Sequence, residues 1–341
     1  MESTVKREVL LEHLVRFFPS LRRYPEKYLY LFGIDSTNPP EHVAYICPLC
    51  LKNWILVEAV NGVSMNVDFS PDHYPPKSVA ERLVFSVLTC KDCNSTAGTI
   101  YDHSLKSFMQ ASAFKKRIPN ATVSVISQIS KVQGRYPGRL NVDANGELEI
   151  SLKPFEKLHA PFLDQFIERS KAKLDWQIEL TIKTVDEKLL GKALLKAAYL
   201  LCFEAWGYEF VFSDNGNRIR QVLNGKLEYP VNLSQWIDDH IKFDQGTKVP
   251  LGLCYIQHPL ECRTFIANFV LTDKDTQCRA MASVLLPNPT SAGWEDLNRV
   301  QNLFLSNSQL QIHIEHVREF FLNDRVFDGY TRSWEHLASS S

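Results

Sequence analysis

Nowhere does this 341-residue chain approach 18 consecutive apolar residues, the length a membrane-crossing helix needs. Its opening residues, MESTVKREVLLEHLV, interrupt their apolar pattern with charges and so lack the continuous core of a secretory signal. No membrane span is expected. A secreted protein's disulfide framework is missing as well. Of eight cysteines, four form two close pairs, while Cys202, Cys254, Cys262 and Cys278 are scattered through apolar sequence. Reduced thiols and a cytoplasmic setting follow most simply. Internal repeats are absent, and low complexity is confined to the serines at 339–341. Net charge is nearly absent too, at -1, which excludes an evenly basic nucleic-acid binder. One absence is local: residues 104–141 contain no Asp or Glu but carry seven basic residues, Lys106, Lys115, Lys116, Arg117, Lys131, Arg135 and Arg139. Such a stretch attracts a phosphate backbone, although a solvated basic surface is the plainer reading.

What is present is ordinary for a globular protein, with 45% hydrophobic and 23% charged residues, enough to build a core without disulfides. The length allows two domains, and the expected class is α+β. Val9, Leu10, Leu14, Phe17 and Phe18 recur at helical spacing before Pro19, so residues 3–32 read as helical. Residues 45–50 read as a strand entering a knuckle turn. Residues 54–60 and 63–69 read as a hairpin about Asn61-Gly62, and 83–88 as a short apolar run. A helix is expected from Asn94 or Ser95, whose polar side chains suit a helix start. Further on, strands are expected over 122–129, 140–142, 148–152, 251–257, 264–271 and 280–286. Helices are expected over 161–173, over 186–206 and from near Trp294. Asp214-Asn215-Gly216-Asn217 reads as a turn and lacks the ligand pattern of a calcium loop. The expected divisions are a helical N-terminal segment at 1–40, a cysteine module at 41–115 and a larger α+β domain at 120–341.

The densest chemistry lies between Cys47 and Asn94. Cys47/Cys50 and Cys90/Cys93 are two Cys-x-x-Cys pairs, each spanning one tight turn, and four thiolates so grouped suit the tetrahedral shell of a structural zinc ion. Asp72 and His73 lie inside the loop that such an ion closes, and Asn94 follows the last cysteine.

These residues resemble the HNH endonuclease family, specifically its zinc-containing branch. The resemblance rests on Cys-Pro-Leu-Cys at 47–50, Asp-His-Tyr-Pro-Pro-Lys at 72–77 and Cys-Lys-Asp-Cys-Asn at 90–94, with Gly98 four residues on. It covers roughly residues 44–108 and implies a small ββα-metal unit that hydrolyses nucleic-acid phosphodiesters, with DNA the favoured substrate. By the resemblance, His73 would be the general base, Asp72 a ligand to a catalytic divalent ion, and Asn94 a neutral oxygen donor to it. Hard oxygen ligands favour Mg²⁺ or Mn²⁺. Phe85 stands where many family members carry a middle Asn. On a single helix from Asn94, His103 would lie roughly 180° away and Asp102 within about 80°, which makes Asp102 the better reserve ligand. Lys77, Lys106, Lys115, Lys116 and Arg117 are the candidate nucleic-acid contacts.

Two other readings compete. One is a zinc-containing module that binds nucleic acid without cutting it. The other is a RING-like interaction module, for which the neighbouring sequence lacks a second ligand set.

Overall fold

The computed structural model describes residues 7–32, 42–58, 62–80, 85–129, 135–152, 177–232, 237–238, 251–288, 293–306 and 313–317, with isolated helical positions at 164, 167, 168 and 171. The expected helix over 161–173 therefore lies mostly outside the described residues, as do Lys131 and Asn61. Among the described residues, helices accompany four antiparallel sheets, compatible with the α+β expectation. No helix among them is long and apolar enough to cross a membrane.

The first helix, α1 (Arg7–Leu21), buries Leu10, Leu14, Phe17 and Leu21, one stripe at steps of three and four. It runs through Pro19 instead of stopping before it, because a proline two residues from the helix end displaces only the last turn's bonding. A short helix α2 (Pro25–Tyr28) and a 3₁₀ turn (Leu29–Phe32) follow. Strands β1 (His42–Ile46), β2 (Trp54–Glu58) and β3 (Gly62–Met65) form one sheet in that order. The expected strand over 63–69 is cut in two at Asn66. Its side chain accepts from Trp54 N at 2.8 Å and donates to Lys52 O and Asn53 Oδ1, so it closes the sheet and frees Phe69 to open the next strand.

That strand, β4 (Phe69–Tyr74), pairs with β5 (Phe85–Cys90), and α3 (Lys91–Ala97) leaves directly from the end of β5. The helix starts three residues before the expected Asn94. Cys90 is extended and Cys93 sits one turn in, a spacing that brings i and i+3 side chains together. A π turn (Gly98–Asp102) joins α3 to α4 (His103–Lys115), so the stretch from Asn94 to Ser107 is not one regular α-helix. Strands β6 (Thr122–Ile129), β7 (Tyr136–Val142), β8 (Leu148–Leu152) and β9 (Ile178–Ile182) form a sheet ordered β8-β7-β6-β9. Val123, Val125 and Leu140 on one face of it pack against Ala111 and Phe114 of α4.

The central element is α5 (Glu187–Trp206). Asp186 caps it, accepting from Lys188 N at 2.9 Å and Leu189 N at 3.1 Å. Gly207 ends it with φ +58°, a conformation L side chains rarely adopt, and a Cβ there would collide with Ser20 Oγ. Next come α6 (Tyr208–Phe212) and α7 (Asp214–Leu223). The expected turn at 214–217 is instead the first turn of α7, because Ser213 Oγ accepts from Gly216 N at 3.1 Å and starts a helix there. The last sheet is ordered β10-β13-β12-β11-β14, from β10 (Ile237–Asp238), β11 (Gly252–His258), β12 (Thr264–Thr272), β13 (Arg279–Leu286) and β14 (His313–His316). It packs against α5 and against α8 (Gly293–Ser306).

One buried cluster draws on Leu14 and Phe17, on Tyr45 and Val87, and on Leu194, Phe203 and Leu285. Helix α5 is thus part of the interior of the cysteine module. Its positions 196, 199, 203 and 204, spaced at helical intervals, all face that module.

Candidate functional site

The four cysteines come together. Cys47 directly follows β1 and Cys50 closes the turn after it, where Leu51 N donates to Cys47 O at 3.0 Å and Leu51 takes φ +56°. Cys90 and Cys93 span the strand-to-helix junction. The four sulfurs lie within 4.8 Å of one another, and Cys50 Sγ is 3.8 Å from Cys90 Sγ. A tetrahedron with metal–sulfur bonds of about 2.3 Å has edges of about 3.8 Å, so the cluster fits zinc. Backbone donors support the sulfurs: Cys90 N reaches Cys47 Sγ at 3.4 Å, and Lys52 N reaches Cys50 Sγ at 3.5 Å. Hydrogen bonding from Cys47 pulls the Cys90 thiol down to about 6 and lowers Cys50, while burial pushes Cys47 up. Four thiolates this close repel one another, and a cation among them would offset that charge.

The rest of the protein holds this cluster in place through hydroxyl groups. Tyr199 OH on α5 donates to Pro48 O at 2.8 Å, and Arg220 Nη1 donates to Tyr199 OH at 3.0 Å. Tyr208 OH accepts from Ile46 N at 2.7 Å, and Tyr45 OH donates to Leu88 O at 2.6 Å.

About β4 the sequence candidates separate by face. Strand alternation turns Asp72 inward, where it is 1% exposed, and leaves His73 half-buried on the other side. Both Asp72 oxygens are occupied: Oδ1 accepts from Lys196 Nζ of α5 at 2.8 Å, and Oδ2 accepts from Thr89 Oγ1 at 3.2 Å. Lys196, itself 2% exposed, also donates to Asp102 Oδ2 at 3.3 Å. Asp102 Oδ1 is buried without a hydrogen-bond partner. Burial pushes the Asp102 carboxyl up, against the attraction of Lys196. Burial alone would lower Lys196, but the two carboxylates outweigh it and hold the ammonium charged.

Asn94 Nδ2 donates to Ser70 Oγ at 2.8 Å and to Pro71 O at 3.1 Å. A proline carbonyl can only accept, so the amide orientation is fixed and its oxygen faces away from those two acceptors. Asn94 thus lies against the residue preceding Asp72. His103 is exposed and pairs with Ser107 Oγ at 3.4 Å, apart from the Lys196 cluster that Asp102 joins. The imidazole of His73 takes up a proton less readily than usual, chiefly through burial and further through Lys77 and Lys196, with Asp72 opposing. That shift favours the neutral imidazole, and among the described residues no group hydrogen-bonds to its ring. Beyond His73, Ala80 bridges Leu271 and Thr272 N donates to Val79 O at 2.8 Å, tying this loop to β12.

Of the basic candidates, Lys77, Lys115, Lys116 and Arg117 are exposed and Lys106 is half-buried. Arg135 and Arg139 are exposed as well. Phe85 opens β5 opposite Tyr74, and its side chain lies outside the described residues.

Of the oxygen donors expected for Mg²⁺ or Mn²⁺, Asp72 does not fit such an ion as it stands, because the Lys196 ammonium already lies against it and against the reserve ligand Asp102. Sequence reasoning missed Lys196, which stands 124 residues from Asp72. Its signal was a lysine at the centre of a helix apolar on nearly all sides, where a charge must find a partner. No protein-family model, no curated protein and no solved structure matches the chain.

Proposed function

We propose that this chain is an endonuclease that hydrolyses phosphodiester bonds of nucleic acid, DNA being favoured by the HNH resemblance. The observation that carries this reading is His73: a half-exposed imidazole with lowered proton affinity and no hydrogen-bond partner among the described residues, on a hairpin whose end is fixed by the four-cysteine cluster. Such a group can take the proton from a water molecule as its oxygen adds to phosphorus. The phosphorus–oxygen bond opposite then breaks, and the departing alkoxide takes a proton from solvent. Lys77, exposed and close enough to oppose protonation of His73, would offset charge on the phosphate oxygens. A structural Zn²⁺ on Cys47, Cys50, Cys90 and Cys93 would keep the hairpin end and the start of α3 in register.

The test is incubation of the purified protein with plasmid DNA, with and without added Mg²⁺ or Mn²⁺, beside His73→Ala. Loss of cleavage in His73→Ala with zinc content and folding unchanged is the expected result. Cleavage at the native rate by the variant refutes the mechanism.

One observation favours the second reading, a zinc-containing module that binds nucleic acid without cutting it: both Asp72 oxygens are satisfied within the protein. On that reading the exposed Lys115, Lys116 and Arg117 at the end of α4 carry the interaction. Replacing all three with serine would then weaken binding and flatten its salt dependence by about three units of slope at most. No nucleic-acid product would form in any metal ion.

A further inference from the structure

We propose that Lys196 is a built-in cation that closes the Asp72–Asp102 pocket to divalent ions, so that the native chain holds a metal at its cysteines and none at these carboxylates. The proposal concerns the same site as the nuclease reading. Its readout is ion binding and not cleavage, so either can fail alone.

The pocket is made by three elements far apart in the chain. β4 supplies Asp72, the residue at the end of the π turn supplies Asp102, and α5 inserts Lys196 between them. Lys196 Nζ lies 2.8 Å from one carboxylate and 3.3 Å from the other, so a single positive charge serves both. Mg²⁺ and Mn²⁺ need several oxygen ligands at short range. Here Asp72 Oδ1 and Asp102 Oδ2 accept from the ammonium and Asp72 Oδ2 accepts from Thr89, leaving Asp102 Oδ1 as the one buried carboxylate oxygen of the pair without a partner. A single free oxygen does not make a divalent site.

Displacing the lysine is also costly. Its neighbours on α5, including Leu195, Ala197, Tyr199 and Leu200, are buried, so an ammonium expelled from the carboxylates would have to remain in apolar surroundings. An incoming divalent ion would meet a like charge at contact distance. The same geometry predicts what opens the pocket. Lys196→Met keeps an unbranched stem of similar length and removes only the charge, leaving two carboxylates with a cation-sized gap between them.

The experiment is Mn²⁺ titration of the zinc-loaded full chain, followed by electron paramagnetic resonance of the free ion, for the native protein, Asp72→Asn, Lys196→Met and the double variant. The native chain should bind no Mn²⁺ that Asp72→Asn removes. Lys196→Met should bind Mn²⁺ about tenfold or more tightly than the native chain, and adding Asp72→Asn should abolish the gain. A native Mn²⁺ site that Asp72→Asn eliminates overturns the proposal, and so does a folded Lys196→Met that binds no better than the native protein. Should Lys196→Met fail to fold, the native chain against Asp72→Asn still decides.

Discussion

The protein gathers ion-binding groups at two places and neutralises them in opposite ways. At Cys47, Cys50, Cys90 and Cys93 four sulfurs crowd within 4.8 Å, supported by the backbone N–H groups of Lys52 and Cys90 and by the side chain of Asn53. At Asp72 and Asp102 the offsetting charge is part of the chain, delivered by Lys196. The first centre has room for an ion from outside, whereas in the second a lysine already stands between the carboxylates. A donor set therefore does not announce a metal; what matters is whether a covalently attached cation already stands among the donors.

The sharpest way to break this contrast is to remove a sulfur. Cys90→Ser, or chelation of the native protein, should forfeit metal-linked folding energy of about 10 kcal/mol or more. Elemental analysis should give one zinc per native chain and none in the variant, together with loss of cooperative unfolding. A variant that unfolds at the native denaturant midpoint would mean that the thiols are merely packed side by side.

Removing the internal cation comes next. Lys196→Ala leaves two buried carboxylates facing each other and should cost about 3–5 kcal/mol in urea unfolding. Most of that should return when Asp72→Asn and Asp102→Asn are added, a non-additivity that identifies the charges and not the lost stem as the cause. Tyr199→Phe tests the connection between the two centres. It removes the donor to Pro48 O and the acceptor for Arg220, and should destabilise by about 1–2 kcal/mol with zinc content unchanged. Loss of zinc in that variant would show that the knuckle depends on α5 more than on its own ion.

The smallest effect belongs to His73. Because its folded-state affinity for protons is reduced, the unfolded chain binds more protons below the ordinary histidine value of about 6.5. Stability should therefore fall as pH drops through that window and rise as it climbs. A proton NMR titration should place the imidazole below its ordinary value, and a midpoint at or above that value contradicts the burial argument.

The cysteine cluster was legible because its spacing is local: each pair sits within one turn, and spacing alone points both sulfurs inward. The strands at Thr122–Ile129, Thr264–Thr272 and Arg279–Leu286 and the helix Glu187–Trp206 were legible from alternation, apolar runs and an apolar face. Three features were not. Asn66 breaks a strand through side-chain bonds that hydropathy does not register, and Ser213 turns an apparent loop into a helix start. Lys196 becomes part of the site only once α5 is laid against β4, a pairing set by packing over a long sequence distance. The charged positions 196 and 204, in the apolar stretch of the helix after Lys192, were the visible trace. In the fold, Glu204 meets Arg16 Nη2 at 2.8 Å and the hydroxyl of Tyr74.

Helix α5 touches the carboxylates through position 196, the cysteine knuckle through 199 and the residue after His73 through 204. Those three contacts are locked in phase by the helical repeat. Inserting or deleting one residue between 196 and 199 would rotate one set past the other by about 100°, separating the two centres even with every side chain retained. The length of this helix segment is therefore under tighter constraint than most of its individual residues.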